Sequence, residues 1–404
     1  MEVKYTSLEN KKAKGENMAD TILILGNGFD IAMGRKTKYT DFIDFEKQLF
    51  SNPDEELLKF LKVKNIKIEK YRDNLYLRFI NENKATLGDN WSNLEIMISQ
   101  LADAIKYFKE NNDLIFKIAT TGRIWLLEEK LLQEKNYRSK LYISDLFSSL
   151  FHEKGWSSLE REVALEKLNN KFIRQLDLLI ELLEIYLSYL DSQDFKDSNF
   201  QVKPTALDGV PSLKNSYVLN FNYTNTSGHL FGTSEENTHF IHGQINLGRP
   251  INQINTMVFG VEDKEDDVIS DLIPYQKYYQ RVVKETGNQF EIFFNSKYFT
   301  VKKNIPSIVT NTIKYKVSKN IIIFGHSVDP LDKEIFQKCF ALAENGKYDY
   351  RFIFTYFDEQ AKRSIIKNLA IILGKEKLVE LTGKRNVVFV KSDDKDRMNK
   401  ELLP

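Results

Sequence analysis

The sequence predicts an α/β protein whose mainly parallel sheet is built from both ends of the chain, with a block of helices inserted between them. Three observations carry this expectation. Short apolar runs at residues 21–25, 320–324, 350–357 and 386–390 read as buried strands, and several are followed by helix patterns. A tight glycine turn directly follows the first run. Residues from roughly 50 to 200 instead show helical periodicity almost throughout.

The chain has 404 residues, beyond the length at which one hydrophobic core usually stops growing, so two structural units are expected. Lys and Arg number 58 against 57 Asp and Glu, leaving a formal net charge of +1. Such a balance supplies no global field toward nucleic acid or an anionic membrane, and neither is expected as a partner. Cys339 is the only cysteine. It excludes an intramolecular disulfide and a Cys-based zinc site, and it fits a reducing cytoplasm. The most apolar stretch, Leu176 to Leu190, carries Asp177, Glu181 and Glu184, which a bilayer would not tolerate.

Taken in order, residues 1–20 are polar and lysine-rich and read as a flexible tail. Residues 21–48 read as strand, turn and helix, with Thr40 as a cap for the helix from Asp41. Residues 49–212 form the helical insertion. Its clearest helix starts at Ser157, where Ser157 and Glu160 make a capping box, and its apolar stripe runs from Leu165 through Phe172, Leu179 and Leu187 to Leu190. That stripe is read as core packing. Residues 213–404 return to the α/β core, with strands expected at 216–223, 238–245 and 256–261 besides those above, and helices from Pro330 and over 359–373.

Four motifs carry chemistry. Gly26-Asn27-Gly28-Phe29-Asp30 follows the first strand, where glycines let a backbone approach a phosphate at a helix start. Ile31 stands where a third glycine of the dinucleotide fingerprint would be, and no second strand ends in an acid about 20 positions on, which argues against a dehydrogenase. Asp30 would repel phosphate and is read as touching ribose hydroxyls or orienting the loop. The second motif, Asn220 to Asn225, ends a strand with three asparagines, among which Asn222 is the least readily explained as a turn residue; Tyr223 joins it as a ligand candidate. Third, His242 precedes Gly243 and is a general-base candidate; His239, three positions earlier, would face the other side of a strand, which argues against shared metal ligation. Fourth, Gly325, His326 and Ser327 form another strand-to-helix turn. Asp329 and Asp332 beyond it fit an N-cap and the helix's first turn.

In this order the motifs resemble the bacteriophage abortive infection AbiH family, and Trp91-Ser92-Asn93-Leu94-Glu95 is similar to that family's Trp-x-x-Leu-Glu signature. They also resemble, more remotely, the sirtuin-like NAD-binding group, which implies a Rossmann-like, sirtuin-like core. The resemblance implies Asn222 as the catalytic asparagine and His242 as general base. It places the cofactor on Gly26, Asn27, Gly28, Phe29, Asp30 and Tyr223, and on Gly325, His326 and Ser327, with Glu95 and Asp332 in support. Thr224 stands where that group carries an aspartate, Asn27 where it has alanine, and His326 where it has threonine. The implied activity is NAD hydrolysis at the nicotinamide–ribose bond, without a metal, by a cytoplasmic effector answering a phage trigger that the sequence does not name. A non-catalytic nucleotide sensor or interaction module is the alternative, and a homo-oligomer is left open.

Overall fold

The structure is a computed structural model that describes residues 19–87, 92–110, 158–196, 200–250, 253–260, 273–287, 289–303 and 311–404. It divides into two compact units. One comprises residues 1–36, 194–244 and 287–404, the other residues 37–193 and 245–286. Residues 245–286, expected in the α/β core, thus cluster with the helices, as do residues 37–48; residues 194–212 cluster with the core instead. Residues 1–18 of the expected tail and the Ser157 cap lie outside the described residues, while Asp20 already belongs to the first strand.

The first unit is built on a six-stranded, all-parallel sheet. Along the chain its strands are β1 (Asp20–Leu25), β2 (Tyr217–Asn220) and β3 (Thr238–Phe240). After an antiparallel pair, β4 (Tyr298–Lys303) and β5 (Asn311–Lys316), come β6 (Lys319–Phe324), β7 (Tyr350–Tyr356) and β8 (Val387–Lys391). Their order across the sheet is β3-β2-β1-β6-β7-β8, so the direction of winding reverses between β1 and β6.

Alternation along the strands divides the core in two. Ile22 and Ile24 of β1 join Ile321, Ile323, Phe352 and Phe354 on one face, against Phe336 and Phe340. Leu23 and Leu25 join Ile322, Phe324 and Ile353 on the other, with Phe29, Leu207 and Met398. This two-sided burial is why the strands read as continuous apolar runs rather than as alternating ones. The helices of this unit are α1 (Asn27–Ala32), α2 (Thr226–Phe231), α3 (Lys333–Asn345), α4 (Glu359–Leu373), α5 (Lys375–Gly383) and α6 (Lys395–Glu401). Asp358 caps α4 by accepting from the Ala361 N–H, and Asp394 caps α6 through the Arg397 N–H.

Strands β2 and β3 are shorter than expected, because Asn220 and Phe240 give way at once to turns. Residues 256–260 are not a strand: the Phe259 backbone bonds the Gln280 side chain on both sides, a substitute for a neighbouring strand. The β4–β5 pair escapes the sequence reading, since its lysines and threonines mask the apolar alternation.

The second unit is helical over most of its described length. Its longest element, Ser158–Asp194, buries the expected stripe throughout, from Leu165 to Leu190. The helix Tyr39–Ser51 begins before Thr40, with the Asp41 carboxylate accepting from the Lys38 N–H instead.

Candidate functional site

The carboxyl ends of β1, β2, β3 and β6 bring residues of all four motifs to one edge of the sheet, beside the reversal point where ligands of open α/β sheets bind. The turns after β1 and β6 are packed against each other. The Gly28 N–H donates to the Gly325 carbonyl at 2.8 Å and the Phe29 N–H to the Gly26 carbonyl at 2.8 Å. A Cβ on Gly26 would meet the Gly325 oxygen at 2.7 Å, and one on Gly28 would meet it at 2.8 Å. Gly325 sits at φ +70 with its α-carbon against Gly28 and Phe29. Close backbone packing therefore requires all three glycines whatever binds there. Two of the N–H groups a phosphate would use at the start of α1 are already spent on these carbonyls.

Beneath the turn, Asp30 is buried and serves as a junction. Its carboxylate accepts from Thr224 Oγ1 and, at 3.4 Å, from Asn222 Nδ2, while Arg35 Nη1 stands 3.9 Å away. Arg35 is itself buried, donating to Asp194 at 2.8 Å and to Thr226 Oγ1 at 2.6 Å, with Phe195 beneath its guanidinium. Asp30 thus ties the turn after β1 to the chain after β2. An aspartate at 224 would set two carboxylates against each other, whereas Thr224 supplies a donor. Nothing in the sequence marks Arg35, because two of its partners lie 159 and 191 positions away.

The three asparagines after β2 separate by role. Asn220 closes a turn, accepting from the Asn222 N–H and donating to the Thr224 carbonyl. Asn225 caps α2 through the Gly228 N–H. Asn222 alone reaches across the sheet, its Nδ2 donating to the Gly26 carbonyl at 3.1 Å, which leaves its Oδ1 as the remaining acceptor. Tyr223 beside it is half-buried.

His242 and His326 come together around one carboxylate. His242 Nε2 lies 3.5 Å from Asp332 Oδ1, and His326 Nε2 lies 3.6 Å from Asp332 Oδ2. His326 Nδ1 accepts the Val328 N–H at 2.9 Å, so the proton of the neutral ring sits on Nε2, toward the carboxylate. Val328 holds φ +55, costly for a β-branched residue, and is fixed there by that bond and by full burial. Asp329 caps the following turn through the Leu331 N–H, but Asp332 makes no capping bond. Asp329 is thus the N-cap and Asp332 stands in the first turn, as expected, with its carboxylate facing the two imidazoles. Phe221 and Phe336 pack edge-on against His326 at 4.3 and 5.0 Å, forming an apolar wall around the pair. Phe336 has no signal in the sequence beyond its place on the buried face of α3.

The other sequence candidates lie apart from this group. The Ser327 side chain is exposed, and its carbonyl accepts from Asn368. Glu95 falls in the helix Ser92–Glu110 of the second unit; its side chain, like Trp91, lies outside the described residues. His239 packs on Phe290 within the core, where burial lowers its pKa, as expected of a structural histidine. Among the described residues no group of three or more His, Cys, Asp or Glu side chains is arranged to hold a metal.

An open parallel α/β sheet with a polar, histidine-bearing carboxyl edge defines the class. Residues 22–354 match the family model described as bacteriophage abortive infection AbiH. The chain belongs to that family, and membership points to a role in phage abortive infection. No curated protein and no solved structure was found to match it. No helix among the described residues is long and apolar enough to cross a membrane.

Proposed function

We propose that the carboxyl edge of the sheet binds an adenine dinucleotide, NAD, and hydrolyses its nicotinamide–ribose bond in the service of phage defence. The observation that carries this reading is the placement of Asn222 and the His242–Asp332 pair at the same sheet edge. The strand order, counted within the sheet as 3-2-1-4-5-6, is that of the doubly wound dinucleotide fold and supports a Rossmann-like assignment.

The residues fit the sugar end of such a ligand better than its phosphates. Asn222 Oδ1 accepts from a ribose hydroxyl or the attacking water. His242 takes the proton of that water, and the Asp332 carboxylate stabilises the resulting imidazolium. Departure of neutral nicotinamide discharges the pyridinium, so no acid is needed on the leaving side. Water supplies the hydroxyl of the ADP-ribose product, and its proton passes through His242 to solvent. Near the turns the pyrophosphate needs donors other than the Gly28 and Phe29 N–H groups, and Asp30 repels it from below.

That last feature favours a second reading, a nucleotide sensor without turnover. Purified full-length chain given NAD, with and without phage-infected lysate, is assayed for free nicotinamide. Release that is lost in Asn222→Ala and His242→Ala supports hydrolysis, and release surviving both overturns it. Tight nucleotide binding with no product in either condition decides for the sensor.

A further inference from the structure

The second unit contains a cavity of about 580 Å³ that the sheet-edge chemistry does not use. That volume falls in the range of pockets for drug-sized ligands, about 300–1,000 Å³. One wall is a single face of the long helix Ser158–Asp194, where Asp177, Ile180 and Glu181 follow at helical spacing. The other wall is the loop bearing Leu247, Arg249 and Ile254, closed by Val283 and Lys284 at the end of the helix Lys277–Val283.

The loop is pinned in place by Glu184, a buried carboxylate one helical turn beyond Glu181. It accepts from the Asn246 N–H, from Asn255 Nδ2 and from Arg249 Nη1. The wall is therefore prebuilt. Charged groups remain for a ligand on both sides. Asp177, exposed on the helix face, accepts no hydrogen bond from any described residue and has the Lys284 charge nearby. Glu181 spends one oxygen on Lys70 and Tyr71 and keeps the other. Opposite them, Arg249 uses only Nη1, and Lys284 gives one proton to the Met257 carbonyl. At the mouth, Ile254 and Val283 are exposed.

We propose that this cavity binds a short zwitterionic peptide with apolar side chains, its ammonium on Asp177 and Glu181 and its carboxylate on Arg249 and Lys284. A polyanion such as a nucleotide would meet the two helix carboxylates, and a polyamine would meet the two cations. Only a ligand carrying both signs satisfies both walls, and the exposed Ile254 and Val283 offer its side chains apolar contact. Burial pushes Lys284 down to about 8 even with the Asp177 and Glu184 charges nearby, so an arriving carboxylate adds a further partner to an amine that burial disfavours as ammonium.

The test is calorimetry on the full-length chain with the tripeptide Leu-Val-Leu, its N-acetylated and C-amidated forms, AMP and spermidine. Leu-Val-Leu should bind, and capping either end should weaken it about tenfold or more, the scale of one charge-assisted hydrogen bond. Asp177→Asn should erase the penalty for N-acetylation, and Lys284→Met the penalty for C-amidation, a pairing that general unfolding would not produce. Equal binding of capped and free peptide, no binding by the free peptide, or preference for AMP or spermidine at this cavity overturns the proposal.

Discussion

Individual side chains at the sheet edge are set by what stands behind them. Asp332 lies within 3.6 Å of both His242 and His326, close enough to orient either ring. If it holds His242 for proton transfer, Asp332→Asn lowers kcat for nicotinamide release by roughly 10²-fold or more and leaves KM for NAD within a few-fold. A parallel rise in KM would show a binding role instead. Lys284 yields a prediction about stability. Its pKa in the folded chain is about 8 against an ordinary 10.5, so folding disfavours the ammonium form. The sign follows: the unfolded chain binds more protons between these values, and the penalty, complete below pH 8, is relieved as pH rises through that window. Urea unfolding at pH 7 and pH 10 should show wild type gaining stability relative to Lys284→Met. No change in that difference would place the amine in solvent.

At the scale of elements, the two glycine turns behave as one part. Gly325 takes φ +70 with no room for a Cβ against Gly28 and Phe29. Gly325→Ala adds left-handed strain and a backbone clash, and it should cost about 2–4 kcal/mol in chemical denaturation while also lowering activity. The turn after β1 was legible as a glycine turn from Gly26 and Gly28. That its glycines are there to receive another turn, 299 positions on from Gly26 to Gly325, was not, because single-chain patterns report local periodicity and not partners. The same limit applies to Asn220 and Asn225, for which the sequence left turn and ligand readings both open. Only their hydrogen bonds with Thr224 and Gly228 assign one to a turn and the other to a helix cap. Strands fared well where both faces are buried, as in β1, β6 and β7, and poorly in β4 and β5, where lysines dilute the signal.

At the scale of the whole molecule, the chain passes between its two units four times, at residues 36–37, 193–194, 244–245 and 286–287. The second unit is therefore two insertions and not one. Met257, Val258 and Tyr275 belong to the later segment and are fully buried there, Tyr275 donating to Asn169 of the earlier one at 2.6 Å. Replacing residues 37–193 by a glycine-serine linker should expose that segment and give a chain that binds the dye ANS and aggregates. Replacing residues 245–286 as well should restore solubility and two-state unfolding. Equal behaviour of both shortened chains in sedimentation and ANS fluorescence would disprove the division.

The sequence by itself determined the α/β class, most strands and helices of the sheet unit, the long buried stripe, and the residues from which the candidate site is drawn. Those follow from local periodicity and turn chemistry, which a linear pattern records. The tertiary structure alone decided that Asp332 faces two histidines, that Arg35 underlies the site, and that residues 245–286 pack with the helices. Each depends on which distant groups share a buried, low-dielectric space, where an unmatched charge or polar atom is expensive and partners must be found wherever the chain brings them.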